Sequence, residues 1–103
     1  MDPFDALAKR IGELRRVPIR IWLEKSYEES LPDGPEYRGA ALMRLGEQEV
    51  KALADEGPLY VVHQVGKIQG LPAQLFTGGS AHKSLTAAYA DLRHTFEVTA
   101  GLQ

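Results

Sequence analysis

The chain has 103 residues, a length that suits one small domain and leaves no room for a second core. Leu, Ile, Val and Phe account for 26 of them and the formal net charge is −2, so the sequence is expected to fold rather than stay disordered. Cys is absent, which excludes disulfide frameworks, thiol nucleophiles and zinc sites with sulfur ligands.

The hydropathy of the chain and its first residues indicate the cellular compartment in which the protein is expected. No apolar run approaches the roughly 18 residues of a membrane span. The N-terminus begins with acidic residues where a signal peptide would be basic. We therefore expect one domain over residues 1–103 in the cytoplasm, with no membrane partner.

The first predicted element is a helix over about residues 3–16. Pro3 suits the first helical position and Asp2 suits the N-cap, and apolar residues then recur three and four positions apart. Pro18 is expected to end this helix, because the residue before a proline avoids helical backbone.

Two strands are predicted next, over about 18–26 and 37–45. In the first, Ile19 and Ile21 alternate with Trp22, which is the period of a half-buried strand. The second strand is expected to turn four apolar side chains to one side: Tyr37, Ala41, Met43 and Leu45. A Pro-Asp-Gly turn signal lies between the two strands.

The second half of the chain has a similar order of predicted elements. A short helix over about 46–56 ends at Gly57-Pro58, and a strand from Leu59 runs to a turn at Gly66-Lys67. A fourth strand is expected over 68–76, at a sheet edge. The last helix, over about 81–98, would be capped by Ser80 and carry a core-facing stripe of Leu85, Ala88, Tyr89, Leu92 and Phe96.

The order α-ββ-α-ββ-α predicts an α+β two-layer sandwich, with a four-stranded, mainly antiparallel sheet and helices on one face. Trp22 would then lie on the open face between Arg20 and Glu24. Trp and Arg are enriched at the energetic centres of protein interfaces, so these three residues form the candidate partner-binding site. The alternative is that Trp22 packs on cross-strand neighbours or beneath a loop.

A second candidate site would bind an anion at the start of the last helix. A glycine pair there would expose backbone N–H groups at the positive end of the helix dipole, and nearby side chains would add donors. The site would comprise Gly78, Gly79, Ser80, His82 and Lys83. The stretch lacks the P-loop and dinucleotide-binding spacings, and ordinary capping by Ser80 explains the same residues.

Histidines and basic residues give weaker hypotheses. His63, His82 and His94 include no two residues at the i, i+4 spacing of metal ligands, so no metal or other cofactor is expected. His63 and His82 could in principle act as a general acid and base, although no residue order supports this. The basic cluster near the N-terminus comprises Lys9, Arg10, Arg15, Arg16 and Arg20. Four of these five residues lie on the first predicted helix, where they suit its solvated face better than a nucleic-acid site.

We therefore expect a small, non-enzymatic protein-binding module that engages a protein partner or a second copy of itself. Stoichiometric inhibitors, immunity factors and regulatory adaptors of bacteria and phages are the analogous class. The first alternative is a small phosphate- or nucleotide-binding enzyme or sensor that uses Gly78-Gly79. The second alternative is nucleic-acid binding through helix 1.

Overall fold

The computed structural model describes residues 3–25, 37–52, 59–68, 75 and 79–99. In chain order the elements are α1 (Pro3–Glu13), β1 (Arg16–Lys25), β2 (Tyr37–Leu45), α2 (Glu47–Ala52), β3 (Tyr60–Ile68), β4 (Ser80–His82) and α3 (Leu85–Thr99). The four strands form one sheet in the order β1-β2-β3-β4, and every neighbouring pair is antiparallel. The predicted α+β fold with a four-stranded antiparallel sheet is confirmed. No helix within these ranges is long and apolar enough to cross a membrane.

Helix α1 ends at Glu13, three residues before the predicted end. Its last turn tightens, with Arg15 donating its N–H to the carbonyl of Gly12 at 2.9 Å. Arg15 then takes a left-handed backbone with φ of 58°, which reverses the chain directly into β1. Pro18 lies inside β1 and does not end the helix, and its place on an outer strand of the sheet suits a residue that has no N–H.

Helices α1 and α3 cover opposite faces of the sheet, so the prediction that the helices share one face is wrong. Ala41 and Met43 of β2 belong to a buried cluster with α1, whereas Ala40 and Leu42 belong to a second buried cluster with α3. Side chains alternate along a strand, so a run of buried residues needs a cover on each face. One helix supplies each cover, and the sheet lies between them.

A bulge in β1 changes which residues share a face. The pairing passes from Pro18 opposite Met43 to Arg20 opposite Leu42, so Ile19 has no partner in the ladder. Ile19 consequently packs in the α3 cluster, while Ile21 packs in the α1 cluster. The prediction that these two residues share a side is wrong.

The C-terminal elements lie elsewhere than predicted. Strand β3 continues through Gly66 and Lys67, where a turn was expected, and ends at Ile68. The fourth strand is Ser80–His82 rather than residues 68–76, within which Ile68 ends β3, Leu75 is an isolated bridge partner of Val65, and the other residues lie outside the described ranges. The predicted turn at Pro32-Asp33-Gly34 and the predicted helix end at Gly57-Pro58 lie outside the described residues.

Helix α3 begins at Leu85, and Ser84 is its N-cap. The N–H of Ala87 donates to Oγ of Ser84 at 3.4 Å. Ala88 and Leu92 are fully buried against the sheet, as the predicted stripe requires. Leu85 and Tyr89, however, are 40% and 41% exposed, so the buried stripe is narrower than predicted.

Candidate functional site

The outer side of β1, which we name the β1 edge, is unpaired in the part of the chain that the structure describes. A Cβ built on Gly39 would stand 1.8 Å from the carbonyl oxygen of Trp22, so this carbonyl points toward β2. Backbone groups of successive strand residues point to opposite sides of the strand. The N–H and C=O groups of Ile21 and Leu23 therefore point outward at the β1 edge.

A groove of about 400 Å³ follows this edge and takes its walls from both helices. It is lined by Phe4 of α1, by Ile21, Trp22, Leu23 and Glu24 of β1, and by Arg93, Phe96 and Glu97 of α3. Phe4 is 48% exposed, so a large part of its side chain is accessible from solvent. The groove thus combines accessible backbone with aromatic walls on the two faces of the sheet.

Trp22 is held in a defined orientation within this groove. Its ring meets the ring of Phe96 edge to face, with the centroids 5.0 Å apart and the planes at 66°. The guanidinium carbon of Arg20 lies 5.3 Å from the centroid of the Trp22 ring, close enough for a cation–π contact. The expected position of Trp22 on an open sheet face is wrong, because α3 covers that face, and the ring is half-buried at the margin.

The candidate partner-binding residues do lie together. Arg20, Trp22 and Glu24 alternate along β1 and oppose Leu42, Ala40 and Arg38 of β2, so all three share the α3 face. Arg20 and Glu24 are both exposed, one on each side of Trp22. A second opposite-charge pair borders the groove, where Nε of Arg93 lies 3.2 Å from Oε1 of Glu97.

The candidate anion site has a different structure from the predicted one. Gly79 precedes strand β4, and Ser80 and His82 belong to it, whereas the helix starts at Leu85. Ser80 therefore cannot cap α3, and Gly79 is not at a helix N-terminus. Lys83 is exposed in the bend after β4, and Gly78 lies outside the described residues.

His82 takes part in a polar network between β4 and α3. Its Nε2 lies 2.7 Å from Oδ2 of Asp91, and the other carboxylate oxygen of Asp91 accepts a hydrogen bond from Oγ1 of Thr95 at 3.2 Å. His82 and Asp91 are each about one fifth exposed. This network ties the last strand to the helix beside it, which is a structural role.

His63 is buried on the other face. Its Nε2 interacts with the guanidinium of Arg16, and Arg16 in turn lies 3.5 Å from Oε2 of Glu49. The ladder pairs Tyr60 with His82, so His63, three residues later, points to the opposite face from His82. The two histidines are therefore not brought together as an acid–base pair. Among the described residues, no group of three His, Asp or Glu side chains could hold a metal ion.

The basic cluster is divided among several contacts. Arg10 pairs with Glu13 at 3.2 Å on α1, and Arg15 donates to Oε1 of Gln48 at 2.7 Å. Because α1 ends at Glu13, Arg15 leaves the helix on which it was predicted. Arg20 lies with Trp22 on the α3 face.

The two walls of the groove are not evident from the sequence. Phe4 is one of the apolar residues whose spacing predicts the first helix, and Phe96 belongs to the core-facing stripe predicted for the last. Pro18 within an alternating run was the available signal for an edge strand, since proline is confined to edges and bulges. The local rule that the residue before a proline avoids helical backbone predicts a helix end at this position instead.

Comparison of the chain with protein-family models, with curated proteins and with solved structures found no match.

Proposed function

We propose that this chain is a non-enzymatic protein-binding module that accepts an extended segment of a partner protein as an additional strand along the β1 edge. Its biological role would be that of a stoichiometric inhibitor, immunity factor or adaptor. The observation that supports this proposal best is the groove itself, in which the outer side of β1, unpaired among the described residues, lies between aromatic walls.

The backbone supplies affinity that does not depend on the partner's sequence. The outward N–H and C=O groups of Ile21 and Leu23 can form a new antiparallel ladder with an extended peptide, as in other cases of strand addition. Each hydrogen bond of such a ladder contributes about 0.5–1.5 kcal/mol net. A ladder this short gives weak binding, so side chains must add to it.

Side chains supply selectivity. Trp and Arg are the residue types most enriched at the energetic centres of interfaces, and both lie in the groove. Arg20 and Glu24 would favour a partner strand with an acidic and a basic residue four positions apart, because opposite charges stabilise facing positions in a sheet. The residue midway between them would lie against the ring of Trp22.

A displayed library of random peptides tests the proposal when it is selected on the immobilised protein. We expect enriched peptides to alternate apolar and polar residues and to carry the opposed charges described above. Leu23→Pro removes an outward N–H and some apolar packing, whereas Leu23→Ala removes packing but keeps the N–H. Selected peptides should bind the Leu23→Ala variant and lose binding to Leu23→Pro.

Two results would contradict strand addition: no enrichment of any peptide, or equal binding to a folded Leu23→Pro variant. Circular dichroism establishes whether each variant is folded. If Leu23→Pro does not fold, amide exchange on the parent protein decides instead. Peptide binding should slow the exchange of the Ile21 and Leu23 amides, and unchanged exchange at both would refute the proposal.

A further inference from the structure

Building on the proposed function, we infer that the strand that occupies the β1 edge is β1 of a second copy of this chain. The two β1 strands would run antiparallel about a two-fold axis at Trp22. Four strands from each copy would then form one continuous sheet. The argument rests on the arrangement of charges, the direction of the backbone groups and the composition of the groove walls.

The charge pattern of β1 is complementary to itself. In an antiparallel pair with Trp22 on the axis, residues equally distant from Trp22 face each other. Arg20 then faces Glu24 of the second copy, and Glu24 faces its Arg20. Both residues lie on the α3 face and are exposed, so both opposite-charge pairs form without moving a buried group. Ile21 likewise faces Leu23 of the second copy on the α1 face.

The backbone permits this register. The outward groups belong to Ile21 and Leu23, and these two residues face each other across the axis, so each pair exchanges both of its hydrogen bonds. The two Trp22 residues then form a non-hydrogen-bonded pair, the position at which facing side chains approach most closely. The edge-to-face contact with Phe96 already sets the orientation of each indole for that approach.

Other two-fold registers lose the complementarity. An axis at Arg20 or at Glu24 places like charges against each other. An axis at Ile21 places Arg20 opposite Trp22, and an axis at Leu23 places Glu24 opposite Trp22. Among the two-fold axes at residues 20–24, the axis at Trp22 is therefore the one that places an acidic residue of this stretch opposite a basic one.

The walls of the groove add surface that can be buried in the dimer interface, beyond what the strand itself offers. A standard interface buries about 800 Å² per partner, which is roughly one eighth of the 6514 Å² surface of this chain. Phe4 and Phe96 lie at the groove on opposite faces of the sheet, where they can contact the incoming copy on both sides of the new ladder. An edge strand of ten residues is otherwise a site of uncontrolled pairing, and opposed charges would restrict that pairing to one register.

Charge reversal with sedimentation analysis tests the inference. Arg20→Glu and Glu24→Arg each place like charges in both symmetric contacts. Each variant alone should therefore dimerise at least about tenfold more weakly than the parent protein. An equimolar mixture of the two variants should form a heterodimer, because every contact across its axis is again between opposite charges. The double variant should also dimerise. Intrachain effects of either substitution, such as an arginine at position 24 facing Arg38, cannot produce rescue on mixing.

The exposed pair Arg10 and Glu13 on α1 provides matched controls. Arg10→Glu and Glu13→Arg make the same changes of charge away from the groove and should leave dimerisation unchanged. A parent protein that stays monomeric at millimolar concentration, or a dimer that is insensitive to both β1 reversals, overturns the inference. If the monomeric parent still binds library peptides in a manner blocked by Leu23→Pro, the proposed function stands and only the second copy is excluded. If neither self-association nor peptide binding occurs, both proposals fail.

Discussion

Truncation of Leu92 to alanine tests the packing of α3 against the sheet. Leu92 is fully buried in the cluster formed with Leu42 and Val62. Leu92→Ala removes three carbon groups, each worth about 0.8 kcal/mol of transfer free energy, and the remaining cavity adds to this loss. We expect the free energy of unfolding to fall by about 2.5–5 kcal/mol, a large part of the total stability of a small domain.

Urea unfolding followed by circular dichroism measures this loss, and Leu85→Ala is the matched control on the same helix. Leu85 is 40% exposed, so its truncation should cost about 1 kcal/mol or less. A loss below about 0.5 kcal/mol for Leu92→Ala would mean that α3 does not pack as described. Equal losses for the two variants would refute the distinction between the buried and exposed sides of the helix.

Three further substitutions test contacts that position the site. Gly39→Ala should destabilise the fold by about 2 kcal/mol or more in urea unfolding, because a Cβ would meet the Trp22 carbonyl at 1.8 Å and force β1 away from β2; a neutral result would place the two strands farther apart. Asp91→Ala should cost about 1–3 kcal/mol, since His82 loses its partner, and thermal unfolding of this variant should begin at a lower temperature. Ser84→Ala should cost about 1 kcal/mol through loss of the N-cap, whereas Ser80→Ala should have a smaller effect.

Strand periodicity predicted the centre of the sheet well. Strand β2 has the predicted bounds, and Tyr37, Ala41 and Met43 do share one face. Trp22 and Ile21 point to opposite faces, as alternation required. These features depend on neighbouring residues alone, which is why the sequence was sufficient to predict them.

The apolar residues of the helices could not predict which face of the sheet each helix covers. An apolar stripe shows that a helix has a buried side but not which face of the sheet it covers. The relevant signal was in the strand: residues 40–43 are four consecutive apolar residues, a pattern typical of burial on both faces. Each face of β2 then required its own helix.

Near residue 80, strand pairing overrides the local rules that predict a helix start after the glycines. A Cβ on Gly79 would lie 2.2 Å from the carbonyl oxygen of Val62 and 2.9 Å from Nδ1 of His63. Gly79 is thus needed for the close approach of its backbone to β3, and not for the start of a helix. Both Ser80 and Ser84 suit an N-cap, and the pairing of residues 80–82 with β3 leaves that role to Ser84.

The bulge at Ile19 gives a last prediction, which concerns register. Because Ile19 has no partner in the ladder, deleting it joins Pro18 directly to Arg20 and preserves every pair with β2 on both sides. The protein should fold and lose only the packing of a half-buried isoleucine, about 1–2 kcal/mol.

Deleting Ile21 removes the same residue type from the regular part of the ladder. The chain can take up this deletion by closing the bulge, with Ile19 opposite Leu42 and Arg20 opposite Ala41, which turns Arg20 into the apolar cluster that Ile21 occupied. This variant should lose much more unfolding free energy in urea than the Ile19 deletion, because it places a charged side chain in an apolar cluster, whereas the Ile19 deletion turns no residue to another face. Equal damage from the two deletions would show that Ile19 is an ordinary ladder residue, and the β1 edge would then present a different set of side chains.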